Sequence, residues 1–84
     1  MRSSIILRLP EVKKLSGYSR STIYLRIAQG LWTKPVRLGA RCVGWPAAEV
    51  EALNLARIAG KNDKEISALV AKLETDRSAA KGEV

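Results

Sequence analysis

Apolar positions recur along the chain in short groups, and glycines punctuate them. Ile5 to Leu7 predict a brief strand or extended lead-in. Leu9, Val12 and Leu15 then return every three residues, which gives one face of a two-turn helix an apolar stripe. Pro10 suits the first helical position, Glu11 complements the positive end of the helix, and Gly17 closes it. A second helix is predicted after the N-cap residue Ser19 and before Gly30, a glycine suited to a left-handed C-terminus. Its inward residues are Ile23 and Ile27, with Leu31 continuing the stripe. Two short helices joined by the three or four residues around Ser16-Gly17-Tyr18 predict a helix-turn-helix unit.

The pattern then changes period. Val36-Arg37-Leu38 and Cys42-Val43-Gly44-Trp45 are β-prone and flank Gly39-Ala40, which predicts a hairpin closed by a two-residue type II′ turn. In that register Leu38 faces Arg41, Val36 faces Val43 and Cys42 lies opposite Arg37. Pro46 opens a third helix with Glu49 in its first turn, an apolar face of Val50, Leu53, Ala56 and Ile58, and an end at Gly60. Asn62 with Glu65 three residues on forms a capping-box pattern for a fourth helix. Ile66, Leu69, Val70 and Leu73 give that helix an amphipathic stripe; beyond Leu73 the pattern stops, and fraying is expected toward residue 84. The expected class is α+β, mostly helical: a small winged helix-turn-helix domain over residues 5–60 with an added C-terminal helix over 62–80. That helix either folds back on the domain or pairs with its copy in a homodimer through 62–73, reading half-sites about 10 bp apart.

With 84 residues, one domain is expected, near the lower limit for an independent core. No apolar run approaches a membrane span, and "MRSSIILRLPEV" has too few apolar residues for a signal peptide, so the cytoplasm is the expected compartment. The single Cys42 excludes an intrachain disulfide and reads as a small, partly buried residue. Trp32 and Trp45, each beginning or ending an apolar element, read as core pieces.

Charge changes this picture. Residues 1–45 contain nine Lys or Arg and one acid, Glu11, a net +8, whereas residues 46–84 hold six basic and seven acidic residues, a net −1. A half this one-sided repels itself unless it meets a polyanion. The second helix offers it a suitable end: exposed N–H groups, a positive dipole and the small hydroxyl residues Ser19, Ser21 and Thr22, with Ser19 read as the cap. Arg20 can reach guanine in a major groove, and Tyr24, one turn on, can meet a phosphate or a thymine methyl. Arg26 lies at the edge of the inward stripe, from where its long side chain can snorkel to a phosphate. Arg37 and Arg41, with Lys34 at the hairpin base, fit a wing along the backbone or in a minor groove. An enzyme is not expected: there is no histidine, no glycine-rich phosphate loop and no paired acids. No cofactor, metal or small-molecule ligand is implied either. RNA binding is disfavoured by the few aromatics available for base stacking. A protein-interaction module with a basic face for an acidic partner is the rival from another class.

The segments "ILRLPEV", "SRSTIY" and "GLWTKPVRLGARCVGW", followed by Glu49-Val50, resemble the AlpA family of prophage regulatory proteins, in the MerR-like and excisionase-like winged-helix group. The resemblance covers about Ile5 to Arg57. It implies sequence-specific binding of double-stranded DNA by a transcription regulator or an excisionase-like recombination factor, phage-encoded or bacterial. By position, Arg20, Ser21, Thr22 and Tyr24 would belong to the recognition helix, and Arg37 and Arg41 to the wing. Relatives commonly have arginine straight after the helix tyrosine, where this chain has Leu25-Arg26.

Overall fold

The first element among the described residues is a two-residue strand, β1 (Ile6–Leu7), which turns at once into α1 (Leu9–Ser16), starting one residue before Pro10. The computed structural model describes residues 4–82. After α1 come α2 (Arg20–Ala28), β2 (Val36–Gly39), β3 (Cys42–Pro46), α3 (Ala47–Ile58) and α4 (Asp63–Gly82). The class is α+β, with four helices and a three-stranded antiparallel sheet in the order β1-β3-β2.

Local chemistry explains the boundaries. Gly17 adopts the left-handed conformation at φ 76°, and its N–H closes α1 on the Lys13 carbonyl at 2.9 Å. Any other L-residue there would cost about 1–2 kcal/mol. The Asn62–Glu65 box is formed in both directions: the Glu65 N–H donates to Asn62 Oδ1 at 2.9 Å, and the Asn62 N–H donates to Glu65 Oε1 at 3.0 Å.

One core draws on all four helices and the sheet: Val12, Ile23, Leu31, Trp32, Trp45, Val50, Leu53, Ile66 and Val70. Both tryptophans are buried in it, and the Trp45 indole N–H donates to the Thr33 carbonyl at 2.9 Å. Leu69 and Leu73 pack against the same core, so the stripe of α4 is covered by its own domain. The fold-back arrangement is the one observed. The radius of gyration, 12.4 Å, sits close to the roughly 12 Å of a single globule this long.

Two expectations about the helix faces need correction. Leu15 is 55% exposed, because a three-residue repeat drifts about 60° per step on a 3.6-residue helix and carries Leu15 off the core face. Ile58 is 81% exposed for a related reason: five residues from Leu53 is about 140° around the helix. α4 runs to Gly82, with polar contacts at Glu74 and Arg77 described below; residues 83 and 84 lie outside the described residues.

Candidate nucleic-acid interface

The first turn of α2 is built around Ser19. Its Oγ accepts from the Thr22 N–H at 3.2 Å and shares a hydrogen bond with Thr22 Oγ1 at 3.0 Å. Both hydroxyls are therefore turned onto the helix end, while Ser21 stands exposed. No acid lies in this turn, which leaves the positive end of the helix uncompensated. The Arg20 guanidinium lies 5.5 Å from the centre of the Tyr24 ring. Tyr24, 38% exposed, meets the buried Trp45 edge-on, with ring centres 6.3 Å apart. A stacked series thus runs from a solvent-facing cation through a half-exposed phenol to the core. Each such cation–ring contact at an exposed site is worth about 0.5–1 kcal/mol, enough to bias the arginine's direction.

The hairpin is present, but its register differs from the expected one. Val36 pairs with Gly44, Arg37 with Val43 and Gly39 with Cys42, so the turn residues are Ala40 and Arg41 rather than Gly39 and Ala40. Neither those two nor Gly39 has a positive φ, which excludes the type II′ geometry. An unprimed turn splays the strands unless extra twist is supplied. The irregularity between Arg37 and Gly39, where Leu38 is left without a partner, supplies it. Arg41 consequently sits in the turn itself, exposed. Paired and alternate residues share a face, so Arg37 emerges on the same side of the sheet as Val43 and Trp45. That is the side that Tyr24 of α2 meets.

Gly44 is set by the opposite face. A Cβ there would come within 2.6 Å of Ile6 Cγ2, 2.9 Å of the Leu7 carbonyl oxygen and 3.1 Å of Leu38 Cδ1. Only glycine lets β1 and the kinked end of β2 flank β3 so closely.

Arg26 is placed apart from this arrangement. It lies about 200° around α2 from Tyr24, with its guanidinium carbon 5.8 Å from the Tyr18 ring centre and Nη1 donating to Gln29 Oε1 at 3.3 Å. Its Nε is buried with no partner. The structure therefore brings Arg20, Tyr24 and the inner face of the hairpin to one side and leaves Arg26 on another.

Lys34 keeps an exposed side chain, but both polar groups of its backbone are held by α4. The Lys34 N–H donates to Glu74 Oε2 at 2.8 Å, and Arg77 Nη2 donates to the Lys34 carbonyl at 2.7 Å. The same guanidinium grips Glu49 through Nε at 2.7 Å and Nη2 at 2.6 Å. Glu49 is only 5% exposed. This cluster was not anticipated, although one signal was present: Arg77 is four residues past Leu73 and continues the inward stripe.

The ion pairs formed among the described residues are Arg57–Asp63, Lys72–Asp76 and Arg77–Glu49, all within α3, α4 and the turn between them. None involves Arg20, Arg26, Lys34, Arg37 or Arg41. Such a surface offers hydrogen-bond donors and uncompensated positive charge to an anionic partner.

Compared with known families, residues 5–52 match the model described as prophage CP4-57 regulatory protein (AlpA). The chain belongs to the AlpA family of prophage regulatory proteins. AlpA proteins form a regulatory family, not an enzyme family. Over 55 residues the chain is 49% identical to the uncharacterized protein ORF88 of Enterobacteria phage P4, a match covering 66% of this chain and 62% of that relative's length. No solved structure matches the chain. Among the described residues, no helix is long and apolar enough to cross a membrane. The matched family segment ends inside α3, so α4 lies beyond it.

Proposed function

We propose that this AlpA-family chain is a sequence-specific double-stranded DNA-binding regulator of phage or prophage type, built as a winged helix-turn-helix. In this reading α1 and α2 are the helix-turn-helix pair, and α2 enters a major groove with Arg20 as the base reader. Ser21 and the N–H groups of its first turn meet phosphate, and Tyr24 contacts a phosphate or a thymine methyl. The β2–β3 hairpin is the wing, with Arg37 and Arg41 on the backbone or in the adjoining minor groove and Lys34 at its base. Arg26, held against Tyr18, serves at most a phosphate at the rim. Residues 5–60 form the DNA-binding unit, and 62–80 add a helix that completes its core.

The observation that carries this reading is that Arg20 and Arg37, which form no ion pair among the described residues, lie on the side where Tyr24 leans on Trp45. Every ion pair formed among the described residues lies in the other half of the chain.

Selection of bound sequences from a random duplex library tests it. Enrichment of a defined site, together with retention of random duplex at low salt, is the expected result. Failure to retain any duplex DNA would sink the proposal and leave a basic surface for an acidic protein as the better reading.

A further inference from the structure

We infer that the distal half of α4 is a positioning element for the wing: Glu74 and Arg77 fix the segment that leads into β2, and so set where Arg37 and Arg41 stand relative to α2. The consequence for DNA rests on the function proposed above; the mechanical part does not.

The connection between α2 and β2 buries Leu31, Trp32 and Thr33, and its last residues are held by hydrogen bonds from β3 and α4. The Thr33 carbonyl takes the Trp45 indole N–H from β3 at 2.9 Å. The Lys34 N–H and carbonyl are taken by Glu74 and Arg77 of α4, residues forty and forty-three positions away. The Arg77 guanidinium is itself held by the buried carboxylate of Glu49, in the first turn of α3. One planar group thus ties α4, α3 and the approach to the wing together, a geometry that arginine's fixed fork can make and a single ammonium cannot. Pro35 follows directly, with φ locked by its ring and no N–H to pair. A displacement of Lys34 is therefore passed on to Val36, the first residue of β2.

A purely stabilising role would predict something simpler. Burying Glu49 requires a partner, and removing Arg77 outright would leave an unpaired buried carboxylate and endanger the fold. The exposed Glu74 bond to the Lys34 N–H stabilises little globally. Its use is that it holds a specific peptide unit.

The test uses the full chain with Glu74→Ala and Arg77→Lys. Glu74→Ala frees the Lys34 N–H; Arg77→Lys keeps a positive charge for Glu49 but loses the fork. In the DNA-free protein, hydrogen exchange of amides in residues 36–43 should quicken about tenfold, the size of one lost charge-assisted bond, while the Val12, Ile23 and Ile66 amides stay unchanged. Uniform acceleration across the chain, or an unaltered hairpin, overturns the proposal. On random duplex DNA, each variant should reduce the slope of log affinity against log salt by about 1 or more. In an Arg37→Ala/Arg41→Ala background, Glu74→Ala should add nothing, because the groups it positions are gone. Additive losses in that background would also overturn it. Should the wild-type chain bind no duplex, the DNA reading fails by itself and the exchange result alone decides the positioning claim.

Discussion

Arg20 and Gly44 show how much can turn on one side chain, or on its absence. Arg20 leaves the exposed end of α2 over the Tyr24 ring and forms no ion pair among the described residues. Arg20→Ala should relax discrimination at one base pair of the selected site by about 1–3 kcal/mol, measured by competition among single-base variants of that site. Equal weakening against every variant would remove Arg20 as a base reader. Gly44 belongs to the scaffold. Gly44→Ala places a methyl 2.9 Å from the Leu7 carbonyl oxygen and should destabilise the fold by about 1–3 kcal/mol, read from urea unfolding. Caps such as Ser19 and Asn62 were legible because their partners lie three residues away. The demand on Gly44 was not, since the atoms that crowd it come from β1, nearly forty residues earlier.

At the scale of elements, the helices could be read from periodicity and the hairpin only in outline. A hairpin around Gly39 was expected, but its register was not fixed by the sequence pattern. Gly39 and Gly44 carry no side chains to enforce alternation, and with Gly39 paired to Cys42 the turn lies one residue further along than the pattern suggested. The shift moves Arg41 from beside the turn into it. Arg41→Ala should lower the salt slope of DNA binding by about 1 while leaving base preference nearly unchanged, as titrations at several ionic strengths would show. α4 makes a different claim. Its cap, its apolar stripe and its reach to about residue 80 were readable, whereas the contacts of Glu74 and Arg77 with Lys34 and Glu49 were not, because they join residues far apart in sequence. Ile66 is buried in the shared core, so Ile66→Ala should cost about 2–5 kcal/mol and shift one cooperative transition, seen alike by tryptophan fluorescence and circular dichroism. Separate transitions would mean that α4 does not belong to the cooperative unit.

For the molecule as a whole, the division of charge along the chain recurs in which groups pair. Among the described residues, Glu49, Asp63 and Asp76 pair with Arg77, Arg57 and Lys72 of the same half of the chain, and Arg20, Arg26, Lys34, Arg37 and Arg41 take part in no ion pair. If roughly five of them neutralise phosphates, log affinity should fall with log salt at a slope of about −4 to −5. A slope near zero in filter or fluorescence titrations would contradict the electrostatic footprint. This partition was readable from residue counts; the clamp that joins its two parts was not. The kinked β2 has one more consequence, for crowding. β2 is an outer strand of the sheet, and a flat outer strand invites a neighbouring molecule to zip onto its unpaired backbone. Leu38 breaks the even spacing of those groups, and Arg37 adds a charge that a like molecule would have to meet. Copies crowded side by side are thereby kept from fusing into an intermolecular sheet.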